Sequence, residues 1–290
     1  MPVITDEFIY RIALSRVPLI GDYHARLLLD TYGNAYSIFH ARRRDLEKTP
    51  GIGPARAQQL VSFTDFQSCE EELNFTHQYQ IRLLGYGTPD YPTRLQHCVD
   101  GPALLYFKGN ADLQQQRVLS VVGTRQPTAY GKQLCEQVIR DLSDRNVLIV
   151  SGLAYGIDTI AHQTALKYHL PTLAVLAHGL DRIYPYQNNY LAREMLEQGG
   201  LITDFPKGTK PDRQHFPQRN RITAGLCDAL LVIESGIQGG SLITAGIANS
   251  YHKEVFAIPG PVIQSQSGGC NELIKKNQAQ LVCHAADIVE

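Results

Sequence analysis

A cluster of basic side chains in a chain with almost no net charge is the first candidate for chemistry. The segment from Phe205 to Gly225 holds five Lys or Arg and one Asp, a local charge of +4, whereas all 290 residues together carry −1. Within it, Arg219 and Arg221 flank Asn220, and Phe216 stands close by. Guanidinium groups bind phosphate, and aromatic rings stack on bases. The segment predicts a focused site for a phosphorylated ligand, with a solvated charged surface as the alternative.

Turns rich in glycine and small hydroxyl residues follow several predicted strands. Their backbone N–H groups and the N-termini of the following helices can bind anions, although glycine also simply permits a tight turn. Because ligands bind outside the carboxyl ends of parallel strands, the recurrence of these turns favours the binding role. The residues concerned are Gly123, Thr124, Arg125, Ser151, Gly152, Gly239, Gly240 and Ser241.

The first of these turns does not match a nucleotide-binding fingerprint. It reads VVGTRQPTAYG, so Arg125 stands where the dinucleotide motif needs its second glycine. The strand VLIVSG ends in Ser151 rather than in the acidic residue that would bind a ribose, and TAYGKQ lacks the rest of a P-loop. The Cys and His residues show no zinc-ligand spacing. We therefore predict no nucleotide cofactor and no metal ion.

Two further features leave a choice between function and packing. Asp158 and His162 are four residues apart and could share a helix face, either for general base catalysis or, as we favour, as a structural link. The loop DRIYPYQNN contains Tyr184 and Tyr186, which could be platforms for stacked bases or packing for the loop.

Phosphate-binding turns, cations and aromatic rings without an evident catalyst predict a groove for single-stranded nucleic acid.

The elements that position these residues fall into two regions. Residues 1–80 carry apolar residues three and four apart, which predicts a small all-helical domain. Residues 81–290 alternate β-rich runs with helical stretches, which predicts an α/β fold with a Rossmann-like, doubly wound, mostly parallel sheet. The basic segment is expected to be a polar, proline-rich loop, followed by an apolar helix over ITAGLCDALLV.

The composition argues against several classes of protein. Near-neutral net charge does not suit a protein that coats duplex DNA or a membrane indiscriminately. No apolar run approaches the ~18 residues of a membrane-spanning helix, and the first residues do not resemble a signal peptide. The six cysteines form no CxxC pair, and several lie in apolar runs. We expect a reduced, cytoplasmic protein with buried thiols and no membrane partner.

The ordered motifs of the second region resemble the DNA-processing protein A family, also called Smf. They are GTR (123–125), SGLAYGID…AH (151–162), HGLDRIYPYQN (178–188), HFPQRNRITAGL (215–226), GGSLITA (239–245), VFAIPG (255–260) and SGGCNELI (267–274). The resemblance implies an extended Rossmann domain that binds single-stranded DNA during natural transformation and forms a homodimer. It also implies protection of incoming strands, displacement or tolerance of single-strand binding protein, and loading of the RecA recombinase.

The same resemblance covers the rest of the chain less specifically. Residues 1–80 are similar to a SAM-like domain, and TPGIGPARAQQL resembles a helix-hairpin-helix turn, either as a DNA contact or as a cap without one. We expect the winged-helix-like module that many relatives carry at the C-terminus to be lacking. The alternative function is that of the lysine-decarboxylase-like phosphoribohydrolases, which use PGGxGTxxE. The related loop here, IQGGSLITAGIA, offers no acid in the following turn.

Overall fold

The computed structural model describes residues 7–289, which form two compact units. The first consists of the described residues up to Tyr91 together with Val99–Phe107, and the second consists of Pro92–Cys98 together with the described residues from Lys108 onward. Among the described helices, none is long and apolar enough to cross a bilayer.

The first unit is helical and also contains an antiparallel pair of strands. Its helices are α1 (Glu7–Arg16), α2 (Asp22–Tyr32), α3 (Ala35–His40), α4 (Arg43–Lys48), α5 (Gly53–Ser62) and α6 (Phe66–Gln78). Their apolar faces meet in one core that includes Leu14, Leu28, Ile38, Leu46 and Leu60. This core is the one that the three-and-four spacing of apolar residues predicts.

The boundary predicted at residue 80 lies inside this first unit, because the first two strands pair with each other. Strand β1 (Arg82–Gly85) runs antiparallel to β2 (Leu104–Gly109). The guanidinium group of Arg11 in α1 donates to the Tyr86 carbonyl at 2.8 Å. It also packs on Gly85, where a Cβ would stand 2.5 Å from its Nη1. These contacts join β1 to the helices that precede it.

The second unit is built on a parallel sheet. Its strands are β3 (Arg117–Val122), β4 (Val147–Ser151), β5 (Thr172–Val175), β6 (Gly199–Thr203), β7 (Ala229–Val232), β8 (Glu254–Ala257) and β9 (Gln280–Leu281). They lie in the order β6-β5-β4-β3-β7-β8-β9, and each neighbouring pair is parallel. The chain extends the sheet from β3 in one direction and then from β7 in the other. The predicted doubly wound, Rossmann-like sheet is confirmed.

Helices cover both faces of this sheet. They are α7 (Thr93–Gln96), α8 (Ala129–Asp141), α9 (Ile157–Lys167), α10 (Asn189–Gln198), α11 (His215–Leu226), α12 (Gly240–Ser250), α13 (Gly268–Lys275) and α14 (Ala286–Val289). Leu119 and Val121 of β3 pack in a core with α8 and α9. Ser120 points to the opposite face and donates to the Thr223 carbonyl of α11 at 2.7 Å. Period-two alternation along a strand produces this division.

The basic segment differs from its prediction, because its second half is helix and not loop. Helix α11 begins at His215 and ends at Leu226, so the arginines lie on it rather than before it. Pro217 falls in the first turn, where a missing N–H removes no helical hydrogen bond. A proline-rich sequence is therefore compatible with a helix that starts here.

Candidate functional site

A groove of about 840 Å³ opens at the carboxyl ends of the strands in the second unit. It lies beside the junction of β3 and β7, where the strand order reverses, which is where open α/β sheets bind their ligands. The predicted residues that line it are Gly123, Thr124, Arg125, Gly152, Tyr184, Phe216, Arg219, Asn220, Gly239, Gly240 and Ser241. These residues thus form one continuous surface.

Two predicted residues do not reach this groove, which corrects their assignment. Ser151 is fully buried, and its hydroxyl donates to the Val121 carbonyl at 2.6 Å, so it links β4 to β3. Arg221 pairs with the Asp204 carboxylate at 2.5 Å. Residues two apart on a helix do not face the same way, so Arg221 is turned away from Arg219.

Arg219 forms a charged floor for the groove. Only 6% of this residue is exposed, and its Nη1 donates to the Val175 carbonyl. Its buried Nε has no hydrogen-bond partner among the described residues. Burial lowers the pKa of the guanidinium group, and the nearby carboxylate of Asp158 opposes that change. Arginine remains charged in proteins, so the floor carries a fixed positive charge.

Gly152 lies between the Arg219 guanidinium group and the Asp158 carboxylate. A Cβ at this position would overlap both the Arg219 guanidinium group and the Asp158 carboxylate. Asp158 is buried in the first turn of α9 and accepts a hydrogen bond from the Ala154 N–H at 3.2 Å. Burial raises the pKa of Asp158, while Arg219 opposes the increase. The glycine is required here for close approach of two buried charges.

An exposed cation and two aromatic rings form a further part of the groove. The guanidinium carbon of Arg125 lies 5.1 Å from the centroid of the Phe216 ring. The Phe216 centroid lies 6.3 Å from that of Tyr184, which is half exposed. A cation within about 6 Å of a ring centroid is attracted to it, so Arg125 is partly ordered before a ligand binds.

The N-terminus of α12 contributes backbone donors. Gly240 and Ser241 are its first residues and line the groove. The Ser241 hydroxyl donates to Ser235 Oγ at 2.8 Å, and the Gly239 N–H donates to the Gly236 carbonyl at 2.9 Å. The first N–H groups of a helix have no intrahelical partner and favour an anion. This turn therefore suits a phosphate group.

The N-terminus of α8, in contrast, already holds a carboxylate of the protein itself. Glu234 follows β7, is 2% exposed, and accepts from the Thr128 N–H at 2.8 Å and from the Thr128 hydroxyl at 2.7 Å. A Cβ at Gly131 would stand 2.5 Å from Glu234 Oε2, so the fit is close. In dinucleotide-binding folds the pyrophosphate lies at this helix N-terminus. Glu234 fills that position.

Asp158 and His162 are hydrogen-bonded to different partners. The His162 ring bonds through Nδ1 to Thr172 Oγ1 at 2.7 Å and through Nε2 to the Gly152 carbonyl at 2.5 Å. Burial lowers the pKa of His162 to about 4, so the ring is neutral near pH 7. The geometry supports the structural interpretation, in which His162 holds α9 against β4 and β5.

The sequence did not single out every residue that lines the groove. Thr223 lies one turn after Arg219 on α11, and Thr244 lies one turn after Ser241 on α12; both line it. Helical spacing could have identified them once the start of each helix was known. Among the described residues, no group of three or more His, Cys, Asp and Glu could hold a metal ion.

Comparison with known proteins assigns the chain. A family model described as DNA recombination-mediator protein A matches residues 82–290, which include every groove residue. The chain belongs to the DNA recombination-mediator protein A family. The resemblance inferred from the sequence is confirmed.

Relatives in this family share most of the chain. Protein Smf of Synechocystis sp. is 34% identical over 285 residues, which are 96% of this chain and 70% of the relative. DNA processing protein A of Streptococcus pneumoniae has a solved structure with a TM-score of 0.84 and 33% identity, covering 99% of this chain and 97% of that one. The solved structure of DNA processing protein A of Helicobacter pylori concerns its single-stranded DNA binding mode. It matches this chain with a TM-score of 0.66 and 30% identity, covering 73% of this chain and 94% of that one.

Proposed function

We propose that this member of the DNA recombination-mediator protein A family binds single-stranded DNA in the groove at the sheet edge and acts in recombination through that strand. The observation that carries the proposal is the convergence of Arg125, Arg219 and the N-terminus of α12 on one surface. The single-stranded DNA binding mode described for the Helicobacter pylori relative supports it.

The groove suits a single strand better than a duplex. It offers groups that can bind phosphate together with two aromatic rings, those of Phe216 and Tyr184. In a duplex the faces of the bases are stacked on each other, whereas those of a single strand are free to stack on side chains. The groove is lined by three arginines, Arg125, Arg213 and Arg219, while the whole chain carries −1. A focused site of this kind binds one strand without coating duplex DNA.

The finer part of the proposal follows from family membership. In this account the cytoplasmic protein is a homodimer that protects an incoming strand in natural transformation. The protein acts on DNA that is covered by single-strand binding protein, and it loads RecA onto that DNA. Analytical ultracentrifugation tests the dimer. A strand-exchange assay on DNA coated with single-strand binding protein tests the loading, because strand exchange by RecA should start sooner when this protein is added.

The binding proposal is tested by the salt dependence of affinity for fluorescein-labelled oligo-dT. Each phosphate neutralised on a single strand adds about 0.7 to the slope of log affinity against log salt. Arg125→Ala should therefore weaken binding and lower the slope by about that amount. Arg140→Ala is the matched control, because Arg140 is an exposed arginine of α8 that pairs with Asp141. Parent affinity and slope in Arg125→Ala would contradict the groove assignment.

We also infer that the chain is not an enzyme. Helix α12 carries no acid in its first turns, and the buried Asp158 and His162 are bound within the fold. Incubation with nucleoside monophosphates tests this inference directly. Release of free base that disappears in Asp158→Asn, with the variant still folded by far-UV circular dichroism, would overturn it in favour of phosphoribohydrolase-like activity.

A further inference from the structure

Three tyrosines beside the groove keep a large part of their side chains in solvent. Tyr155 is 45% exposed, Tyr186 is 77% exposed and Tyr190 is 72% exposed. We call these three residues the tyrosine surface. Large aromatic side chains gain most when they are covered, so a set of exposed rings marks a surface where another molecule can bind.

Hydrogen bonds hold this surface in place. The Tyr155 hydroxyl lies 2.5 Å from Gln187 Oε1. Asn188 Nδ2 donates to the Leu153 carbonyl and to Thr159 Oγ1, both at 2.9 Å. The turn after β4 and the chain entering α10 are thereby joined at two places. A surface that is ordered before binding loses less conformational entropy when a ligand covers it.

The tyrosine surface continues the aromatic part of the groove. Arg125, Tyr184 and Phe216 line the groove and also a smaller cavity beside it, and Tyr155 lines that cavity as well. The Tyr155 hydroxyl donates a hydrogen bond to Gln187 Oε1. Tyr186, the neighbour of Gln187, lies two residues after Tyr184 and begins a 3₁₀ turn, Tyr186–Asn188. This turn leads directly into α10, whose second residue is Tyr190.

We propose that the tyrosine surface stacks nucleobases of the strand where it leaves the groove, so that the binding site extends beyond the groove. This inference rests on the proposed single-stranded DNA binding. The adjoining part of α10 carries both Arg193 and Glu194, so cations do not dominate this surface. Stacking on the bases, rather than neutralisation of phosphates, is then its contribution. Stacking tolerates any base, because every base has an aromatic face.

The experiment compares a short and a long oligo-dT, of about 6 and about 20 nucleotides, on the full chain. The double variant Tyr186→Ala/Tyr190→Ala should bind the long strand at least about five-fold more weakly than the parent. It should bind the short strand with the parent affinity, because the short strand is held within the groove. The slope of log affinity against log salt should not change, since no phosphate contact is removed.

Matched variants separate stacking from other effects. Tyr186→Phe/Tyr190→Phe keeps both rings and should retain parent affinity for the long strand. Tyr23→Ala removes a tyrosine of the helical unit that is 53% exposed and should change nothing. The chain has 15 Tyr and no Trp, so tyrosine emission is not masked by tryptophan, and the fraction that a saturating long strand quenches should be smaller in the double alanine variant.

The outcomes distinguish this inference from the proposed function. If the parent does not bind the long strand, the proposed function fails. If the parent binds but the double alanine variant has the same affinity and quenching, only the tyrosine surface is refuted. An equal loss of affinity in the phenylalanine variant would also refute it, because the rings are still present there.

Discussion

Asp158→Asn should destabilise the protein strongly, although the substitution preserves shape. Asn keeps an oxygen that can accept from the Ala154 N–H, so the change removes mainly the charge. Arg219 would then keep its guanidinium group buried without the opposite charge that now faces it across Gly152. A Cβ on Gly152 would stand 2.2 Å from Arg219 Nη1 and 2.3 Å from Asp158 Oδ2, so these atoms are no more than about 4.5 Å apart. Two unit charges at such a distance attract by about 4 kcal/mol at an effective dielectric constant of 20. Breaking a buried pair costs about 3–5 kcal/mol in other proteins. We expect a loss of about 3–4 kcal/mol.

Urea unfolding followed by far-UV circular dichroism measures this loss. The set consists of the parent, Asp158→Asn, Arg219→Met and the double variant, near pH 7. Removing both charges leaves neither one unpaired, so the double variant should be more stable than the sum of the two single losses predicts, by at least about 1 kcal/mol. The reasoning is refuted if Asp158→Asn lies within about 0.5 kcal/mol of the parent, or if the two single losses add.

Three further predictions concern buried groups around the groove. Glu234→Ala removes the acceptor of the Thr128 N–H and of the Thr128 hydroxyl proton, so the variant should lose about 1–3 kcal/mol of stability. Formate at constant ionic strength should raise the melting temperature of this variant but not of the parent. An absence of rescue would contradict the role of Glu234 as an internal carboxylate at the N-terminus of α8. Because burial lowers the pKa of His162 to about 4 from 6.5, the unfolded chain takes up the proton first. Stability should therefore fall by up to about 3 kcal/mol as pH drops from about 6.5 to about 4, and His162→Gln should show a flatter profile in urea titrations; equal slopes would argue against a neutral ring. Gly152→Ala should displace Arg219 from the Val175 carbonyl and reduce both stability and oligo-dT affinity, whereas parent behaviour would show that the close approach is not required.

Features that depend on local pattern could be predicted from the sequence. Apolar strands alternating with helices predicted the parallel sheet, and the carboxyl ends of parallel strands share one edge. Turns as far apart as Gly123 and Gly240 could therefore be placed in one groove from the sequence. This inference needs only the direction of each strand, which a parallel sheet fixes.

Features that depend on the direction of a side chain could not be predicted from the sequence. The sequence shows that Ser151 ends a strand, but not that its hydroxyl points to Val121 rather than to the groove. Arg219 and Arg221 look equivalent until the start of α11 sets their rotation about the helix axis. Glu234 reaches Thr128, 106 residues away, only because the sheet places β7 beside β3. Strand pairing decides the contacts of Ser151 and Glu234, whereas the start of α11 decides the directions of the two arginines.

The most direct test of the groove is photo-crosslinking with an oligo-dT in which 5-bromodeoxyuridine replaces some thymidines, followed by mass spectrometry of the crosslinked peptides. We predict crosslinks to peptides that contain Tyr184 and Phe216, and their loss in Arg125→Ala at a salt concentration where the parent still binds. Crosslinks confined to the outer surfaces of α8 and α9, or to the helical first unit, would contradict the account.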